Sequence, residues 1–113
     1  MKKAQYAQRG PVPQEFIDAV DFELPPLAPG QVLIQVLAAP INPSDVLTLT
    51  GAYGMLPPLP ATGGNEGVGK VVAHGPDVTS PPIGQTVLLP VGCGTWSTHV
   101  VGEAKKLMPL PNE

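Results

Sequence analysis

The stretch Pro29-Gly30-Gln31-Val32-Leu33-Ile34-Gln35-Val36-Leu37-Ala38 decides how the chain is read. Pro-Gly is turn chemistry, and the run behind it is apolar at both parities except for Gln35. A strand with hydrophobic side chains on both faces is expected at the centre of a sheet, covered on both sides. Further runs of the same kind lie outward from it, at 4–8, 15–23, 67–74, 86–89 and 96–101, with a weak last one at 106–108. In 15–23 the apolar Phe16, Val20 and Phe22 alternate with Glu15, Asp21 and Glu23, so one face should be wet, although Asp18 breaks the pattern. Short strands bounded by Pro and Gly clusters point to a mainly β barrel or sandwich.

The chain has 113 residues, 16 of them Pro and 13 Gly, a share that by itself would suggest disorder. Against this, 31 residues are Leu, Val, Ile or Phe, enough to build a core. One domain, residues 1–113, fits this length. A single segment departs from the β pattern. Asn42 can cap a helix, Pro43 suits its first position and Asp45 places negative charge in the first turn, so a short helix is expected over 43–50, stopped by Gly51. The next stretch, 51–64, holds Gly51, Gly54, Pro57, Pro58, Pro60, Gly63 and Gly64 and reads as a long loop without an element of its own.

Several function classes are disfavoured. A net charge of −3, with Lys2, Lys3, Lys105 and Lys106 near the ends, leaves no basic face for a nucleic acid backbone. No apolar run is long enough for a membrane span, and the start Met1-Lys2-Lys3-Ala4-Gln5-Tyr6 lacks a signal peptide's apolar stretch. A soluble, cytoplasmic protein is expected. Zinc needs three or four Cys, His or carboxylate ligands, and the chain offers one Cys and two His. His74 and His99 read as sheet-edge histidines, and Cys93, with no charged sequence neighbour, as a structural thiol. Gly92-Cys93-Gly94-Thr95-Trp96-Ser97 begins like a dinucleotide fingerprint but leads into a strand, where the fingerprint requires a helix N-terminus.

Two aromatic residues stand out. Tyr53, in Gly51-Ala52-Tyr53-Gly54, is either a half-exposed loop aromatic or a general acid, since a phenol with a pKa near ~10 is protonated at neutral pH. Trp96 is either partly buried packing or the wall of a ligand site. Glu66 follows a Gly-Gly-Asn turn, where a carboxylate can brace the backbone.

Taken in order, Pro29-Gly30-Gln31-Val32-Leu33-Ile34, Ile41-Asn42-Pro43-Ser44-Asp45, Gly51-Ala52-Tyr53-Gly54, Pro60-Ala61-Thr62-Gly63-Gly64-Asn65-Glu66-Gly67-Val68-Gly69 and Gly94-Thr95-Trp96-Ser97 resemble the N-terminal catalytic domain of the medium-chain dehydrogenase/reductase family. That resemblance implies a GroES-like, partly open β-barrel with one or two short helices. Asn42 and Asn65 stand where the zinc-dependent members carry Cys and His, so it implies the zinc-free branch, without a metal. Within that branch the motifs are most similar to 2-enoyl thioester reductases, with quinone oxidoreductases as the alternative. The resemblance further implies NADPH as hydride donor, Tyr53 as proton donor, Asn42 and Asp45 beside the nicotinamide, Trp96 on the substrate side, and Glu66 bracing its turn. The dinucleotide-binding domain of that family is expected to follow this region and is absent from it. The chain alone is therefore expected to be inactive, with an enoyl thioester or quinone as the small-molecule partner of the complete enzyme. Exposed cleft surface should make the isolated chain self-associate. A free-standing, non-catalytic GroES-like binding module is the alternative from another class.

Overall fold

The structure is a computed structural model, and it describes residues 1–52 and 56–111. Strand β1 (Lys2–Tyr6) is followed by a 3-10 turn (Pro13–Glu15), β2 (Ile17–Asp21), β3 (Gln31–Ala38), helix α1 (Pro43–Thr50), β4 (Ala61–Thr62), β5 (Val68–His74), β6 (Thr86–Leu88), β7 (His99–Glu103), a second 3-10 turn (Ala104–Lys106) and β8 (Met108–Pro109). The strands form two antiparallel sheets, ordered β2-β1-β4 and β7-β3-β5-β6-β8. The segment before β7 joins them. Thr98 N–H donates to Lys2 O and Ala4 N–H to Trp96 O, both at 2.8 Å, while Thr98 O accepts from Val36 N–H at 2.9 Å. The described residues therefore make the partly open, mainly β fold expected from the sequence, with no closed barrel.

Helix α1 has the expected bounds because its signals are local. Asn42 is extended (φ −95°, ψ 157°), Pro43 opens the helix, and Gly51 closes it in the left-handed region at φ 86°. Strand β3 also has its expected bounds and lies between β7 and β5. Its expected coverage on both faces is corrected: Val32 and Ile34 are fully buried, whereas Leu33 is half-buried and Leu37 is 54% exposed. Among the described residues, the Val32/Ile34 face meets the larger packed layer, which contains Val71, Val87, Leu89, Val100 and Leu107.

Other bounds shift for a common reason, since pairing partners decide where a strand ends. β1 spans Lys2–Tyr6 rather than 4–8, because its partners run from Asp21 opposite Lys2 to Ile17 opposite Tyr6. The expected strand 15–23 begins with the 3-10 turn, and 96–101 moves to His99–Glu103 opposite Gln31–Gln35. Residues 104–106 form a turn, so the last strand starts at Met108. Stretch 51–64 does contain an element: Ala61 and Thr62 pair with Tyr6 and Gln5. A second, smaller core of Tyr6, Leu49 and Ala61, flanked by Ile17 and Trp96, ties the three-stranded sheet to α1.

Candidate functional site

The site is built where the start of α1 meets the turn that precedes β5. Asp45, 3% exposed, is the hub. Its Oδ2 accepts the Asn42 backbone N–H at 2.8 Å, which makes Asn42 and Asp45 a capping box, and its Oδ1 accepts the Asn65 backbone N–H at 3.0 Å. One carboxylate thus ties the helix N-terminus to the turn. Two side-chain bonds run alongside, from Asn42 Nδ2 to Glu66 Oε2 at 2.8 Å and from Asn65 Nδ2 to Ser44 Oγ at 3.4 Å. The turn is secured from behind as well. Trp96 N–H donates to Gly63 O at 2.9 Å, Thr95 Oγ1 to Glu66 O at 2.6 Å and Gly92 N–H to Asn65 O at 2.8 Å.

In front of this network lies a cleft of about 550 Å³. Its lining includes the polar Asn42, Ser44, Asp45, Asn65 and Glu66, the apolar Leu56, Pro57 and Val91, and Tyr6. Tyr6 is 2% exposed. Burial pushes its phenol above the ordinary range, the neighbouring Arg9 guanidinium opposes that rise, and the Asp45 carboxylate adds to it. No Lys or Arg is among the described residues that line the cleft.

Of the residues singled out from the sequence, Asn42, Asp45 and Glu66 are brought together here. Tyr53 lies outside the described residues; on its two sides Ala52 follows the helix stop, and Leu56 lines the cleft. Trp96 does not line the cleft. It stands behind the Gly63–Gly64 turn, packed on the smaller core, and its Nε1 donates to Pro40 O at 3.2 Å. His74 faces the Pro81 carbonyl at 2.6 Å and His99 the Thr98 hydroxyl at 3.0 Å. Cys93 packs against the larger core, and burial pushes its thiol up. Tyr6 and Ser44 are site residues that the sequence did not single out. Tyr6 ends a strand whose pairing places it under α1, which no local pattern reveals.

Among the described residues no group of three or more His, Cys, Asp or Glu could hold a metal ion. Asn42 turns its amide nitrogen, a donor, to Glu66, and Asn65 directs its own to Ser44, an arrangement suited to hydrogen bonding rather than metal ligation.

Comparison with known proteins places this architecture. The model of the alcohol dehydrogenase GroES-like domain matches residues 28–112. The chain belongs to that family. Among curated proteins it is similar to the mitochondrial enoyl-[acyl-carrier-protein] reductase of Bos taurus, 43% identical over 102 residues that cover 89% of this chain and 27% of the relative. Among solved structures it is similar to the mitochondrial 2-enoyl thioester reductase Etr1p/Etr2p heterodimer from Candida tropicalis, at TM-score 0.88 and 33% identity over 98% of this chain and 34% of that one. A complex of Etr1p with NADP and crotonyl-CoA matches at TM-score 0.87 and 32% identity over the same shares. A putative NADPH:quinone reductase from Bacillus thuringiensis matches at TM-score 0.87 and 37% identity, over 98% of this chain and 33% of that one. The GroES-like chain thus spans about a quarter of the curated relative and a third of each structural neighbour, and its homologues are enoyl thioester reductases and quinone oxidoreductases.

Proposed function

We propose that this GroES-like domain is the catalytic part of an NADPH-dependent reductase that saturates the C=C bond of trans-2-enoyl thioesters. The supporting observation is the cleft itself, whose lining combines one buried carboxylate and the hydrogen-bonded amides of Asn42 and Asn65 with the apolar Leu56, Pro57 and Val91. A thioester with a polar head and an apolar tail suits that mixed lining. NADPH supplies a hydride at Cβ when bound, and Tyr53 gives the phenolic proton to Cα, so that the double bond becomes two saturated carbons. The amide and hydroxyl groups of Asn42 and Ser44 fit the carboxamide end of a nicotinamide. Asp45 holds Asn42 and Asn65 in place, Asn65 in turn donates to Ser44, and Trp96 supports the turn on the substrate side. The same cleft carries two acids and no base among its described lining residues, so it repels the cofactor's phosphates. Holding them falls to a separate dinucleotide-binding domain.

In the complete enzyme, Tyr53→Phe should lower kcat on crotonyl thioester by about 10² to 10⁴, the usual worth of a general acid. Undiminished kcat would sink the assignment. The 37% identity with a putative quinone reductase supports a second reading, a zinc-free NADPH:quinone oxidoreductase. A rate on quinones far above that on enoyl thioesters would select it.

A further inference from the structure

Arg9 lies between β1 and the first 3-10 turn, outside every element. Its side chain runs along the end of α1. Cδ stands 3.7 Å from where a Cβ on Gly51 would be, and the adjacent Gly10 N–H donates to Leu49 O at 3.3 Å. At the other end of the side chain, Nη2 donates to the Pro57 carbonyl, and the guanidinium carbon lies 6.0 Å from the centre of the Tyr6 ring. Nε is out of contact with solvent and has no hydrogen-bond acceptor among the described residues. The described ion pairs are Lys2–Asp21 and Lys106–Glu103, and neither involves Arg9. Arg9 is half-buried, with Nε turned inward and Nη2 spent on a backbone carbonyl, so it is placed to hold a neighbouring segment as well as to carry surface charge.

The sequence that brings Leu56 and Pro57 into the cleft lining explains what Arg9 does there. Leu56-Pro57-Pro58-Leu59-Pro60 has proline at three of five positions, so three backbone N–H donors are missing and the segment has little means of fastening itself. A donor arriving from elsewhere onto one of its carbonyls is what can hold it. Arg9 is suited to this, because its planar fork can donate to the Pro57 carbonyl while the same group stays beside Tyr6.

We propose that Arg9 is a positioning residue: it holds the Leu56–Pro57 wall in place against Tyr6 and Gly51, and thereby sets the affinity of the cleft for the apolar part of its ligand. The inference rests on the reading of the cleft as the substrate site. Two substitutions in the complete enzyme test it. Arg9→Met keeps the stem against Gly51 and removes every donor, and Arg9→Lys keeps the charge and a point donor. In Arg9→Met, backbone order parameters at the Leu56 and Leu59 amides should fall from about 0.85 to below about 0.6 while those of β5 stay unchanged, because the segment has lost the donor that holds it. KM for a medium-chain enoyl thioester should rise about fivefold or more, with kcat within about twofold and its pH profile unmoved, as expected for lost uniform binding. Arg9→Lys should recover part of both changes. Unchanged order parameters or unchanged KM in folded Arg9→Met overturns the proposal, and if that variant does not fold, the same two readouts on Arg9→Lys decide. Tyr53→Phe measured alongside separates the two ideas: full activity there removes the proton-donor reading, while the order parameters still judge Arg9.

Discussion

At the scale of single residues, the site is organised by groups whose chemistry is simple and whose placement is not. Asp45 was legible as the acid of a helix start, since Asn-Pro-x-Asp is a local signal. That its second oxygen reaches Asn65, 20 residues onward, was not legible, because the turn arrives there only when β5 pairs with β3. Tyr6 shows the same division. Its phenol titrates above its ordinary value in the folded chain, so between that value and the folded one the unfolded chain has lost its proton and the folded chain has not. The stabilisation is therefore complete below pH ~10 and is lost as the pH rises beyond it. Tyr6→Phe should weaken this alkaline decline, read as the difference in urea-unfolding free energy between pH ~9 and pH ~11, with lysine deprotonation common to both proteins. Equal declines would show that burial of the phenol has no such effect.

Elements differ in how much of their definition is local. α1 was readable to its last residue because its cap, first-turn proline and stopping glycine all lie within ten positions. β3 was readable in extent but not in surroundings: a run apolar at both parities indicates two apolar faces without saying what packs on each, and here one face stays partly open. β4 was missed because two residues between prolines and glycines carry no periodicity, and they become a strand only by pairing with Gln5 and Tyr6. The turn after β4 is where close approach matters most. Gly64 has φ 98°, and a Cβ there would meet the Thr95 hydroxyl and stand 2.7 Å from the Trp96 backbone nitrogen. Gly64→Ala should therefore cost about 2–4 kcal/mol, through positive-φ strain together with displacement of the 94–96 segment that secures the site. A urea titration measures it, and a loss below about 0.5 kcal/mol would mean that this turn relaxes freely.

For the molecule as a whole, the two cores divide the work: the larger stabilises the five-stranded sheet, and the smaller places α1 and the cleft. The surface left over is unusually apolar in places, with Val91 80%, Ile41 75%, Ile83 62% and Met108 59% exposed. Val91 borders the cleft, so apolar surface continues from the site outward. The chain on its own is therefore expected to self-associate with rising concentration, measurable by sedimentation velocity, and a single monomeric species at high concentration would contradict this. The abundance of proline and glycine, which first raised the question of disorder, has a different meaning in place: it bounds short strands, starts and stops α1, and leaves the wall of the cleft dependent on Arg9. By itself the sequence determined the class of fold, the helix with its caps, the central strand and the family motifs, because each rests on neighbours a few residues apart. Only the tertiary structure decided which face of β3 stays open, that Asp45 joins helix to turn, that Tyr6 lines the cleft and that Arg9 reaches the Pro57 carbonyl behind it, because those contacts join residues far apart in the chain that strand pairing brings together.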